Sequence, residues 1–120
     1  MKTIAEYKQM LAAEGLLASD NAETADFSQE VTDVSYNSLT VKPGTLFLCK
    51  GANFKEAYLA DALAKGACGY VAARDMNMGP DVPCLVTGDI RAAISKISAF
   101  YFDRSWDKGL KLIGLTGTKG

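Results

Sequence analysis

The chain has 120 residues, 48% of them hydrophobic and 22% charged, which fits one ordinary globular domain and argues against disorder over most of its length. A formal net charge of −1 with no block of Lys or Arg argues against a nucleic-acid surface, and no apolar run approaches the roughly 18 residues a membrane span needs. There is no histidine, so His-based zinc sites and Ser-His-Asp or Cys-His nucleophile pairs are excluded.

In chain order, the opening segment predicts a helix. Thr3-Ile4-Ala5-Glu6 has capping-box form, Ile4, Tyr7 and Leu11 recur on one face, and Gly15 offers a stop. Glu6 and Glu14 interrupt this segment, which therefore lacks the continuous apolar stretch of a signal peptide and predicts a cytoplasmic protein. ASDNAETADFSQ (18–29) is polar and turn-rich, which predicts a surface connection. EVTDVSYNS (30–38) carries β-branched and aromatic residues suited to a short strand. Lys42-Pro43-Gly44 marks a turn before TLFLCKG, a fully buried strand ending at Gly51.

NFKEAYLADALAKGA (53–67) predicts an amphipathic helix, with Tyr58–Ala62 and Leu59–Leu63 as i,i+4 pairs and Gly66 at the cap. CGYVAA and CLVT read as buried strands around the loop RDMNMGPDVP. Asp89 can cap a helix in which Ile90, Ile94, Ile97 and Tyr101 keep a helical period. A final strand is predicted at about 110–115. Alternation of strands and helices at this spacing predicts an α/β domain, with a largely parallel or mixed sheet covered by helices. Cys49, Cys68 and Cys84 form neither a disulfide framework nor a zinc pattern, and read as reduced, mostly buried thiols.

Two stretches could carry chemistry. The closing LTGTKG places Thr116, Gly117, Thr118, Lys119 and Gly120 after a strand, where backbone amides could cradle phosphate. It fails the general phosphate-loop pattern, which asks for glycine where Leu115 stands, so from the residues alone a flexible Gly-rich tail after an edge strand is the favoured reading. In the second stretch, Tyr36, Asn37 and Ser38 end one element and Lys50 to Phe54 end another. Two strand ends lying side by side would let Ser38 and Asn53 hydrogen-bond a polar heterocycle, with Tyr36 or Phe54 against its face. The plainer reading makes Pro43-Gly44 only a turn and Asn53 only a helix cap.

SYNSLTVKPGTLFLCKGANFKEAYLADALAKGA, followed by DIRAAISKISAFYFDRS and LKLIGLTGTKG, resembles the N-terminal part of the MurE ligases, in order and in register from Val34 to Gly120. Members of that family are ATP-dependent amide ligases of peptidoglycan synthesis. They add the third amino acid, L-lysine or meso-diaminopimelate, to UDP-N-acetylmuramoyl-L-alanyl-D-glutamate. The resemblance implies a UDP-precursor-binding domain over residues 1–110. Residues 111–120 would be the final strand and first part of the ATP loop of a missing central domain. It implies precursor contacts at Tyr36, Ser38, Gly51, Ala52, Asn53 and Phe54, and ATP-phosphate contacts at Thr116, Gly117, Thr118, Lys119 and Gly120. No catalytic residue and no metal ligand would lie in this stretch. ATP and Mg2+ would serve the intact enzyme, and the chain alone would be inactive. LFLCKGANFKEAYL looks most like lysine-adding enzymes of Gram-positive bacteria. Two departures stand out: Asn37 and Leu39 occupy positions where the family usually has Asp and Arg, and no histidine stands near Ala52. The sister MurF ligases, which add D-Ala-D-Ala, and a stand-alone nucleotide-binding module are the alternatives.

Overall fold

A computed structural model of the chain describes residues 2–50 and 55–102. In chain order its elements are α1 (Ile4–Ala13), β1 (Leu17–Asp20), β2 (Asp33–Ser35), a 3-10 turn (Ser38–Thr40), β3 (Thr45–Leu48), α2 (Glu56–Ala64), β4 (Gly69–Ala72), β5 (Cys84–Thr87) and α3 (Ile90–Tyr101). The strands form one sheet in the order β1-β5-β4-β3-β2. β2 to β5 run parallel, and β1 is antiparallel to β5 at the far edge. The expected α/β class is therefore present, as a mixed sheet.

The sheet is buried on both faces: β3 and β4 are buried at every position and β5 at all but Val86, with Thr45 and Thr87 the polar residues among them. Successive side chains point to opposite sides, so each strand feeds two cores. Leu46, Leu48, Val71 and Leu85 join Ile4, Tyr7, Leu11 and Ile97 from α1 and α3 in one core. Phe47, Cys49, Tyr70, Ala72 and Cys84 join Leu59 and Ala62 from α2 in the other. Three layers result, with α1 and α3 on one face and α2 on the other.

Local chemistry sets the helix ends. Glu6 N–H donates to Thr3 Oγ1 at 3.3 Å and Thr3 N–H to Glu6 Oε1 at 2.8 Å, completing the expected capping box. Asp89 Oδ1 accepts from Ala92 N–H at 3.1 Å and starts α3. Gly66 takes φ +105°, and a Cβ there would lie 2.9 Å from the Pro43 Cα, so the end of α2 and the 42–44 turn approach as closely as a glycine allows.

Three expectations need correction. Part of the polar stretch 18–29 is no connection: Leu17–Asp20 is strand β1, hydrogen-bonded along β5. An edge strand with one partner needs little apolar content, so hydropathy gave no sign of it. The strand predicted over 30–38 is confined to Asp33–Ser35, because Asn37 caps a 3-10 turn that ends the pairing. Helix α2 begins at Glu56, with Leu59 and Ala62 as its buried residues, while Tyr58 is 43% exposed. All three cysteines are free and buried, as expected. The strand predicted at about 110–115 lies outside the described residues.

Candidate nucleotide site at the ends of β2 and β3

Because β2 and β3 are parallel neighbours, with Ser35 opposite Phe47, the segments leaving them emerge side by side. Tyr36, Asn37 and Ser38 follow one strand, and Cys49 and Lys50 follow the other. Parallel sheets offer ligands this carboxyl edge, where strand ends diverge and backbone polar groups are free of the ladder. The structure thus brings Tyr36, at the end of one stretch, beside Lys50, at the start of the other. Among the predicted residues, Tyr36 and Ser38 stand at this edge. Gly51, Ala52, Asn53 and Phe54 lie outside the described residues, as do Thr116, Gly117, Thr118, Lys119 and Gly120.

A dense set of short-range hydrogen bonds shapes the turn that carries Ser38. Asn37 Oδ1 accepts from Leu39 N–H at 2.9 Å, and Thr40 N–H and Oγ1 both donate to the Asn37 carbonyl at 3.0 Å. Ser35 Oγ accepts from Asn37 N–H at 3.1 Å and lies 2.8 Å from Thr40 Oγ1. An asparagine side chain caps such a turn through its carbonyl oxygen as a carboxylate would, without the charge. From the far side of the connection, Lys65 Nζ donates to the Ser38 carbonyl at 2.9 Å while pairing with Asp61 at 3.0 Å. Leu39 is 80% exposed and takes part only through its backbone N–H. Asn37 and Lys65 together clamp the turn that Asn37 and Leu39 would otherwise leave without an acid and an arginine. Ser38 Oγ makes no hydrogen bond with any described residue.

On the other strand end, Lys50 Nζ sits 4.3 Å from the centroid of the Tyr36 ring. Tyr36 is 58% exposed, and Lys50 is exposed as well. Beside β2 a recess of about 330 Å3 opens between Ser35, Tyr36 and Asn37 on one side and Ser98 and Tyr101 of α3 on the other, with Leu48 contributing to its lining. Helix α2 begins behind this edge at Glu56, and Lys55 gives it no side-chain cap, so the positive end of its dipole lies on this side of the sheet. Arg74, at the end of β4, pairs with Glu56 at 3.2 Å, and both are well exposed.

A second recess of about 340 Å3 lies along the β4–β5 connection, lined by Asn21, Thr24, Asp75, Asn77, Gly79 and Pro80. It offers a carboxylate and no cation, and holds none of the predicted residues. The thiols are not nucleophiles: burial pushes Cys49 up to about 12 and Cys68 up to about 11, and raises Cys84 too. Among the described residues no cluster of His, Cys, Asp and Glu could hold a metal ion, and no helix is long and apolar enough to cross a membrane.

Lys50 and Lys65 are the site residues that sequence reasoning left out. Lys50 directly precedes the predicted Gly51, and its position beside a glycine turn was a usable signal. Lys65 is a commonplace lysine at a helix end. Nothing local marks it as a partner of Ser38.

No protein-family model matches the chain. It is 44% identical over 89 residues to a UDP-N-acetylmuramyl-tripeptide synthetase of Limosilactobacillus reuteri, covering 74% of this chain and 17% of the relative. It is 45% identical over 92 residues to the UDP-N-acetylmuramoyl-L-alanyl-D-glutamate–L-lysine ligase of Enterococcus faecalis, covering 77% of this chain and 18% of that one. The ligase of the same name from Streptococcus pneumoniae is 40% identical over 96 residues, covering 79% and 19%. Among solved structures, MurF from Acinetobacter baumannii superposes with a TM-score of 0.60 at 21% identity, covering 78% of this chain and 20% of that one, a likeness of fold. The chain thus spans less than a fifth of the length of these curated relatives.

Proposed function

We propose that this chain, a member of the Mur ligase family by its 40–45% identity to lysine-adding relatives, holds the uridine diphosphate end of a peptidoglycan precursor. The observation that carries this reading is the placement of Tyr36 and Ser38 beside Lys50 at the carboxyl edge of β2 and β3. Ser38 Oγ has no partner among the described residues and can hydrogen-bond a pyrimidine edge or ribose. Tyr36 offers an exposed ring for stacking, and the loop 51–54 completes the contacts from the other strand.

The chain works as part of a longer ligase that joins an amino acid, L-lysine, to UDP-N-acetylmuramoyl-L-alanyl-D-glutamate. Residues 1–110 form the precursor-binding domain. Thr116, Gly117, Thr118, Lys119 and Gly120 begin the loop whose amides receive ATP phosphates, with Mg2+ held elsewhere in the whole protein. In that protein the γ-carboxylate of D-glutamate is activated by phosphoryl transfer from ATP and then attacked by the amine, releasing phosphate. The contribution of this chain is to bind and orient, and by itself it forms no amide bond. Lysine is favoured over D-Ala-D-Ala because the Streptococcus pneumoniae and Enterococcus faecalis relatives carry lysine-ligase names and the Limosilactobacillus reuteri relative is named a tripeptide synthetase, while the MurF likeness is one of fold.

The test is a titration of the full chain with UDP and with UDP-N-acetylmuramoyl-dipeptide, followed by amide and side-chain NMR. Shifts should concentrate at Tyr36, Ser38 and residues 51–54. Shifts confined to other surfaces, the β4–β5 recess for example, would overturn the site.

A further inference from the structure

Resting on that reading, we infer that Lys50 is a specificity residue for the diphosphate, held on the Tyr36 ring until a nucleotide base displaces it. Three observations converge. The Lys50 ammonium lies 4.3 Å from the Tyr36 centroid, within the distance at which a cation is attracted to a ring face. Among the described residues Lys50 has no carboxylate partner, as is true also of Lys55 and Arg91, whereas Lys8, Lys42, Lys65, Lys96 and Arg74 each have one. The Tyr36 ring is 58% exposed, so the ammonium is held there by the ring itself and not by surrounding packing.

One ring face cannot hold an ammonium and a base at once. A base that stacks on Tyr36 from the side Lys50 occupies releases a flexible, unpaired cation beside the bound nucleoside. The diphosphate attached to that nucleoside is the nearest strong anion, and the positive end of the α2 dipole lies on the same edge. Lysine suits the task because its ammonium is a compact point charge on a four-carbon stem that can swing between the two positions. Uridine alone would displace the cation and give it nothing in return. Uridine diphosphate gives it a better partner than the ring. The pair therefore discriminates nucleotide from nucleoside by an exchange of partners.

Affinities of the full chain for uridine and for UDP, measured by NMR titration in the wild type, Lys50→Met and Lys50→Arg, test this. Lys50→Met should weaken UDP binding about tenfold, the scale of one charge-assisted contact at an exposed site. It should leave uridine binding unchanged or strengthen it about twofold, since the competing cation is gone. Lys50→Arg should restore most of the preference for UDP. In the wild type, UDP should also move the Lys50 side-chain resonances away from their ring-shielded position. A UDP-to-uridine ratio that Lys50→Met leaves unchanged would overturn the inference while the nucleotide site stands. So would a loss of uridine affinity in that variant, because it would place base and ammonium on opposite faces of the ring. Wild-type protein that binds neither ligand at Tyr36 and Ser38 would remove the site reading itself, and the inference with it.

Discussion

Replacing Lys65 by Met removes the side-chain hydrogen bond by which the end of α2 holds the Ser38 turn. The ammonium is 2.9 Å from the Ser38 carbonyl, and a hydrogen bond to a charged group contributes about 1.5–3 kcal/mol when well protected. The Lys65 side chain is 36% exposed and is shared with Asp61 at 3.0 Å, so water and the carboxylate each take part of that value. About 1 kcal/mol remains, equivalent to about a fivefold change in the ordered-to-disordered ratio of the turn. Methionine keeps most of the aliphatic stem, so packing against α2 survives. Amide hydrogen exchange measures the effect directly. Leu39 and Thr40, whose N–H groups donate to Asn37, should exchange about fivefold faster in the variant, while Leu48 in β3 is unchanged. UDP affinity should fall too, by at most about the same factor, because the turn must be ordered before Ser38 can engage. Equal exchange at Leu39 and Thr40 in the two proteins would refute the clamp. Faster exchange with unchanged UDP affinity would show that the turn does not position the ligand.

Two further outcomes follow from other parts of the structure. Alkali should unfold the chain: the thiol pKa values are raised by folding from about 9 to about 12 for Cys49 and about 11 for Cys68, so the unfolded state releases protons first. Stability is intact below pH 9 and falls above it by up to about 1.4 kcal/mol per thiol per pH unit; a urea midpoint that does not drop between pH 8 and 10 would contradict this burial. Gly66→Ala combines φ +105° with a Cβ 2.9 Å from the Pro43 Cα, so it should cost about 2–3 kcal/mol by thermal or urea unfolding. An undiminished midpoint would mean that the 42–44 turn gives way freely.

How far the site could be read from residues alone depends on the range of each interaction. The turn at Ser38 was missed, the strand being read through to residue 38, although Asn37 acts within three residues of itself; Pro43-Gly44 did mark the turn that leads into β3. The Ser38–Lys65 and Tyr36–Lys50 pairs were not legible, since each joins segments that become neighbours only once β2 has paired with β3 and α2 has packed beneath them. Strand β1 was missed for a related reason. Leu17–Asp20 has the composition of a loop, and it is a strand because β5 presents a free ladder edge to it. Resemblance to a ligase family pointed to Ser38 and Tyr36, and the geometry added both lysines.

By itself, the sequence determined the class of the domain and most of its elements. The capping box at Thr3, the Asp89 cap, the glycine at the end of α2 and the apolar runs of β3, β4 and β5 are all short-range signals, and each acted where it stood. Tertiary structure alone decided the order β1-β5-β4-β3-β2, which strand ends share an edge, and which cations face that edge. The physical reason is that hydrogen bonds between strands carry no side-chain identity. A backbone ladder accepts almost any strand of suitable length, and the choice among partners is made by how the two faces of the sheet bury their side chains together.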